Sequence, residues 1–333
     1  MVIGPVLLFL ASLALSIVSS LVLAEAIDRL GSRLGVSEGL LGILTALGAD
    51  APEISAAVTA IQGGRASLGF GVVLGSNIFN LAALLGLSAA VAGQVRIHRA
   101  GLVWEGAVVM ATTALVSVLV LGLLSPPATL GLIAAVLVPY VFLSSLRPAQ
   151  VERAAAAGGH SPQVLLVSAL ADVTRDVRTG ETAPRATRHD LLTLVPSLVC
   201  VVLASVGMVR ASVVLGGRWG VAQVLIGTLV LASVTGIPNV IAAVRLALRR
   251  RGSAVVSESL NSNTINLVVG IALPALVLGV GQASSLTRLS VWWLLAMTLG
   301  CLVLTGRKGG LRRGEGLAVI ASYLAFVGLL VLG

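Results

Sequence analysis

Ten stretches of this 333-residue chain are apolar for long enough to cross a lipid bilayer, and nothing else in the sequence limits its fold so severely. A spanning helix needs about 20 mostly apolar residues to cover roughly 30 Å of hydrocarbon. The stretches run at approximately 3–24, 39–62, 68–92, 101–124, 127–146, 190–209, 222–247, 254–280, 289–305 and 315–332. They are expected to be helices, because lipid offers the backbone no partners and each segment has to satisfy its own N–H and C=O groups. With 57% hydrophobic and only 11% charged residues, the chain also lacks the charge a soluble domain of this size needs on its exterior. The first stretch is longer than a signal peptide, lacks a basic start and a clear cleavage site, and is followed by further spans. The expected fold is therefore an all-α membrane protein with ten transmembrane helices.

The net charge of +9 would suggest nucleic acid if the bases lay on a folded soluble face. They lie in loops instead. With the N-terminus outside, the inner loops hold Arg29, Arg33, Arg96, Arg99, six arginines between Arg147 and Arg188, Arg245, Arg249, Arg250, Arg251, Arg307, Lys308, Arg312 and Arg313. Of the 22 basic residues, Arg65, Arg210, Arg218 and Arg288 fall elsewhere. An excess of bases inside then places both termini outside, in agreement with an even number of spans. The expected location is the plasma membrane of a bacterium or archaeon. The expected partners are the bilayer and inorganic cations, with no nucleic acid and no obligate protein partner evident. Cys200 and Cys301 fall inside spans and read as small apolar packing residues.

The long polar stretch at 147–189 carries Pro148, Gly158, Gly159, Pro162, Gly180 and Pro184 and divides five spans from five. The expected organisation is a first five-helix unit at 1–146, a cytoplasmic linker at 147–189 and a second unit at 190–333. Within the linker, Gln163–Asp172 is partly apolar and could form a short helix on the membrane surface; a regulatory segment is the other possibility.

The two units repeat. At an offset of 186 residues, without a gap, Ala46 meets Ala232, Pro52 meets Pro238, Arg65 meets Arg251, Ser76 meets Ser262, Asn77 meets Asn263 and Asn80 meets Asn266. Alanine can match by chance; proline, Ser-Asn and asparagine at one fixed offset are much harder to obtain that way. Five spans per unit is an odd number, so the second copy enters the membrane from the opposite side. Inverted duplication is an architecture of secondary transporters, whose site lies near the midplane where the repeats meet.

The matched region carries the polar residues. The second span contains Gly48-Ala49-Asp50-Ala51-Pro52-Glu53. A carboxylate in mid-span costs at least about 2.5 kcal/mol, so it is expected to face protein, water or an ion. Pro52 removes a backbone donor and frees carbonyls in the preceding turn. Freed carbonyls beside carboxylates suit hard cations such as Na+ or Ca2+. The third span contains Gly75-Ser76-Asn77-Ile78-Phe79-Asn80, with Ser76 and Asn80 one helical turn apart and pointing the same way. Small-residue helix packing is the other explanation for Gly75 and Ser76. The eighth span repeats the stripe with Ser262 and Asn266, and Glu258 lies one turn earlier, as a third acid of the site or as a residue of its inner mouth. The seventh span has Thr235-Gly236-Ile237-Pro238-Asn239, with Asn239 at the position of Glu53 and Gly236 at that of Asp50. One half therefore holds acids, and the other amides and hydroxyls.

At these residues the sequence resembles the cation/Ca2+ antiporter superfamily, specifically its sodium/calcium exchangers. That family carries two inverted α-repeats, each with Gly-Thr-Ser-x-Pro-Glu followed by Gly-Ser-Asn-x-x-Asn/Asp. The counterparts here lie at 40–87 and 226–273. The resemblance implies a 5+5 inverted-topology fold and a cation site. Glu53 matches the family's first essential glutamate, and Ser76, Asn80, Ser262 and Asn266 match its serine and amide ligands. Thr235 stands at the motif's threonine, and Ala46 and Ala232 match alanines that offer backbone carbonyls. Three positions depart: Asn239 replaces the second glutamate, Gly236 replaces a serine, and Asp50 stands where the first repeat has serine.

The expected function is secondary active cation antiport by alternating access, Na+ against Ca2+, with H+ against a cation as the alternative. Two nearby carboxylates in a dry site resist double ionisation, so one is expected to hold a proton at neutral pH. From a different class, the chain could be a non-transporting scaffold or sensor. An enzyme is not expected: no phosphate-cradling Gly-Lys-Ser/Thr loop is present, and His98, His160 and His189 all fall in inner loops. No cofactor is expected beyond the transported cations themselves.

Overall fold

The computed structural model describes residues 2–33, 38–97, 99–144 and 188–332. The linker and its Gln163–Asp172 segment lie outside them. Each of the ten expected segments is helical. α1 (Ile3–Arg33), α4 (Ala66–Ala92), α5 (Arg99–Val120), α7 (Arg188–Trp219), α10 (Gly252–Leu278), α11 (Ser285–Arg307) and α12 (Arg313–Leu332) each contain a stretch long and apolar enough to span. An eighth span is the pair α8 (Gln223–Thr235) and α9 (Ile237–Leu248), bent by 48° at Gly236. The other two expected spans are not single long apolar helices among the described residues. Residues 39–62 form α2 (Glu38–Ala49) and α3 (Ala51–Gln62), broken at Asp50, and α6 (Pro126–Ser144) has an apolar part of 126–142.

Burial ranks these helices. Of the apolar window of α4, 94% is buried within the protein, against 28% for α1 and 22% for α12. α4 is thus the centre of the bundle, and α1 and α12 face lipid. α1 and α7 run longer than a bilayer requires, about 46–48 Å at 1.5 Å per residue. The extra turns explain why Arg29 and Arg210 sit on helices and not in loops; Arg29 pairs with Glu25 at 2.7 Å.

The offset of 186 holds in three dimensions. α3 and α9 begin and end at equivalent residues, and α4 and α10 begin at equivalent residues. The break residues share one conformation, Asp50 at φ −84°, ψ −1° and Gly236 at φ −77°, ψ −8°. The turn that follows is copied bond for bond: Gly63 N–H to Thr59 O, Gly64 N–H to Ile61 O and Arg65 N–H to Ala60 O recur as Arg249 to Arg245, Arg250 to Ala247 and Arg251 to Leu246. Gly64 takes φ +72°, and Arg250 is held at φ +61° in the same place.

One element was not expected, a two-stranded antiparallel ribbon of β1 (Gln94–Arg96) and β2 (Gly310–Arg312). Three residues per strand leave no readable alternation. The ribbon joins the loop after α4 to the loop before α12, and the Arg96 backbone lies against Gly252 so closely that a Cβ there would collide. Three arginine-bearing loops expected on one face of the membrane therefore meet at one end of the bundle.

Candidate cation site

Proline at the second position of α3 and of α9 dictates both helix breaks. It has no N–H to give the turn before it, so the chain re-starts a helix there. The re-start puts Glu53 in the first turn of α3, at the positive end of the helix dipole, in the interior of the molecule. Asp50 is the N-cap of α3, yet its carboxylate does not cap that helix. Asp50 Oδ1 instead accepts from Asn239 Nδ2 at 2.8 Å and from Ser262 Oγ at 2.9 Å. Ser262 Oγ in turn accepts from Asn80 Nδ2 at 3.0 Å. Residues 189, 212 and 182 positions apart in the chain are thereby joined at one point between the repeats.

Asp50, Glu53, Ser76, Asn80 and Asn266 are fully buried, and Asn239, Ser262 and Thr235 nearly so. Several of their oxygens have no hydrogen-bond partner among the described residues: Asp50 Oδ2, both oxygens of Glu53, Ser76 Oγ, Asn80 Oδ1 and Asn266 Oδ1. Buried polar atoms are normally paired, so a run of orphaned lone pairs beside two carboxyl groups calls for a positive partner. Oxygen-only donors are the chemistry of Na+ and Ca2+.

The remaining expected residues sit at the edge of this set. Thr235 donates to Leu231 O within its own helix at 2.8 Å. The Ala46 and Ala232 carbonyls accept the N–H groups of Asp50 at 2.8 Å and Gly236 at 3.2 Å, and the Ala232 carbonyl also accepts from Thr235 Oγ1 at 3.4 Å. Glu258 is half-buried, and its Oε2 has no partner among the described residues. No three acids, histidines or cysteines are gathered as a metal cluster among the described residues, so Asp50 and Glu53 stand as a pair supplemented by neutral oxygens.

Gly75 answers to packing: a Cβ there would fall within 2.5 Å of the Thr228 Cα, and one at Gly227 within 2.5 Å of the Leu68 carbonyl oxygen. α4 and α8 thus touch backbone to backbone, which brings Ser76 and Asn80 against the opposite repeat. Asn77 and Asn263 were visible as a matched pair but not as a contact. Asn77 Nδ2 donates to Asn263 O at 3.0 Å, and Asn263 Nδ2 donates to Asn77 O at 3.3 Å. Equivalent residues that exchange equivalent bonds mark a local two-fold axis. Missed altogether was Glu105 in α5, buried and accepting from Ser257 Oγ at 2.7 Å. An acid inside an apolar span was the available signal.

A helical bundle of two inverted repeats, with paired helix breaks facing each other and buried carboxyl groups at one of them, belongs to the class of membrane transporters. The chain is a member of the sodium/calcium exchanger protein family, whose profile matches residues 4–147 and 189–332. Among its relatives is CaxA of Alkalimonas amylolytica, 24% identical over 310 residues that cover 90% of this chain and 89% of that one. Two solved structures share its fold. One is the H+/Ca2+ exchanger CAX, with a TM-score of 0.72 at 14% identity over 98% of this chain and 86% of that one. The other is the sodium-calcium exchanger NCX_Mj, with a TM-score of 0.63 at 19% identity over 98% and 99%.

Proposed function

We propose that this exchanger-family protein is a secondary active cation antiporter whose exchanged ions take turns at one site, with Ca2+ leaving or entering against Na+. The observation that carries this reading is the set of buried, unpartnered oxygens around Asp50 and Glu53. Two carboxylates match the charge of one divalent cation, and Ser76, Asn80, Asn239, Ser262 and Asn266 would complete its shell as neutral ligands. Two monovalent ions can balance the same pair, so binding of one species excludes the other and couples their opposite fluxes.

The reading fits the helix geometry. Ser205 on α7 donates to the Pro52 carbonyl at 3.4 Å, so α1 and α7, which pack on each other, abut the broken helix at the site. A shift of that pair across α3 would change which side reaches Asp50 and Glu53. The loop arginines favour both termini outside. Proton coupling is the second reading, and it rests on Asn239: with an amide where the family motif has its second glutamate, the acids at the helix breaks are Asp50 and Glu53 of one half, a closely spaced pair that can share a proton.

Flux into proteoliposomes separates the readings. Ca2+ uptake driven by an outward Na+ gradient is expected, and uptake driven by a pH gradient alone identifies the proton-coupled alternative. Glu53→Gln, which keeps shape and removes charge, is expected to lower flux at least tenfold. No flux under any imposed cation gradient overturns the antiport reading and favours a scaffold or sensor. Full activity in Glu53→Gln removes that residue from the site.

A further inference from the structure

A second polar assembly lies off the central axis. Tyr140 O–H on α6 donates to Asn261 Oδ1 at 2.7 Å, Asn261 Nδ2 donates to Ser257 Oγ at 3.2 Å, and Ser257 O–H donates to Glu105 Oε1 at 2.7 Å. Every hydrogen points toward Glu105, which is 6% exposed. A cation site needs lone pairs that converge, as at Asp50 and Glu53. Here a chain of donors ends on one carboxyl oxygen, with no convergence of lone pairs, which suits a proton. A buried carboxylate with one neutral donor is poorly compensated as an anion, and a bound proton removes that cost.

The assembly belongs to one half only. At the 186-residue offset, Ser257 and Asn261 correspond to Gly71 and Gly75, and Glu105 corresponds to Val291. Gly71 and Gly75 are closed against the α8 backbone at Val224 and Thr228. The polar track therefore has no mirror image. It is also graded in depth. α5 and α10 both start at the end where Arg96 meets Gly252. At 1.5 Å per residue, Glu105 and Ser257 lie about 8–9 Å along their helices and Ser262 about 15 Å, near mid-bilayer. Ser257 and Asn261 line one stripe of α10, and Ser262 lies on the adjacent stripe that meets Asp50.

We propose that Glu105 is a proton-binding carboxyl, separate from the Asp50–Glu53 site, on a one-sided polar track along α10 between the Arg96–Gly252 end of the bundle and the centre. A proton arriving from water at that end is taken up by the carboxylate of Glu105 as its carboxyl O–H and is returned to the same end, while the Ser257 hydroxyl holds the carboxyl in place. The titratable and charged groups on the helices packed against α5 are Glu258 on α10, Tyr140 on α6, and Cys301, Arg288 and Arg307 on α11, the two arginines being exposed near the ends of that helix. The inference deepens the antiporter reading by giving the protein a proton route, but proton binding is measured independently of transport.

The test is an acid-minus-alkaline infrared difference spectrum of the purified protein in lipid. A carboxylic-acid C=O band is expected in the wild type. One component of it, that of Glu105, should be absent in Glu105→Gln and displaced to higher wavenumber in Ser257→Ala, because a donor to that carboxyl is lost. In proteoliposomes, Glu105→Gln should flatten the pH profile of exchange. A difference spectrum unchanged by Glu105→Gln overturns the proposal. If that variant does not fold, an undisplaced band in Ser257→Ala overturns it. The expected bands in a protein without flux uphold the site and overturn the antiporter reading instead.

Discussion

Asp50 shows how one residue can be turned from structure to function. An aspartate at an N-cap ordinarily accepts from its own helix. Here the donors come from Asn239 and Ser262 of the other repeat, and Oδ2 has no partner among the described residues. Asn239 thus serves as a neutral clasp where a second acid would repel Asp50. Asn239→Asp is expected to lower the melting temperature in chelator and to enlarge the rise that Ca2+ produces, since the added charge needs a cation beside Asp50. An equal rise in both proteins would contradict the clasp. Arg250 offers a simpler case. It occupies a left-handed turn that its counterpart Gly64 fills without strain. Arg250→Gly should stabilise the protein by up to about 1 kcal/mol, read as a higher melting temperature.

At the scale of elements, the sequence foretold the features that follow from one residue type. Pro52 and Pro238 announced two breaks, and the breaks are there. Ser76, Asn80, Ser262 and Asn266 announced two polar stripes by their four-residue spacing. What was not legible came from contacts between distant helices. The Gly75 position was open between ligand support and packing, and only the approach of Thr228 decides for packing. Gly75→Val should cost about 3 kcal/mol or prevent folding, because its clash is with backbone that cannot yield. Survival of normal thermal stability would mean that α4 and α8 do not touch as described. Asn77 and Asn263 exchange bonds across the axis, so Asn77→Ala and Asn263→Ala should each cost about 1 kcal/mol and differ from one another by little. A large cost for one alone would break the symmetry. Glu105 has no copy in the other half, where Val291 stands, so the repeat pattern does not mark it.

The whole molecule is symmetric in backbone and lopsided in chemistry. Both repeats break, turn and re-start at equivalent residues, so the duplication supplies two facing scaffolds. The paired acids Asp50 and Glu53 then occupy one scaffold, while Gly236 and Asn239 stand at their places in the other. The ten-segment layout was readable because lipid imposes length on every span, whereas the β1–β2 ribbon depends on how the ends of the bundle pack. Of the five arginine-bearing loops expected on one face, three meet at one end of the bundle. The central claim is that the transported cation sits between the Asp50 and Glu53 carboxylates. Crystals of the protein grown with Sr2+ as a stand-in for Ca2+ test it by anomalous scattering. A peak within about 2.3–2.7 Å of Asp50 Oδ2 and a Glu53 oxygen is predicted, lost in Glu53→Gln. A peak bound elsewhere, or one that persists unchanged in Glu53→Gln, would contradict it.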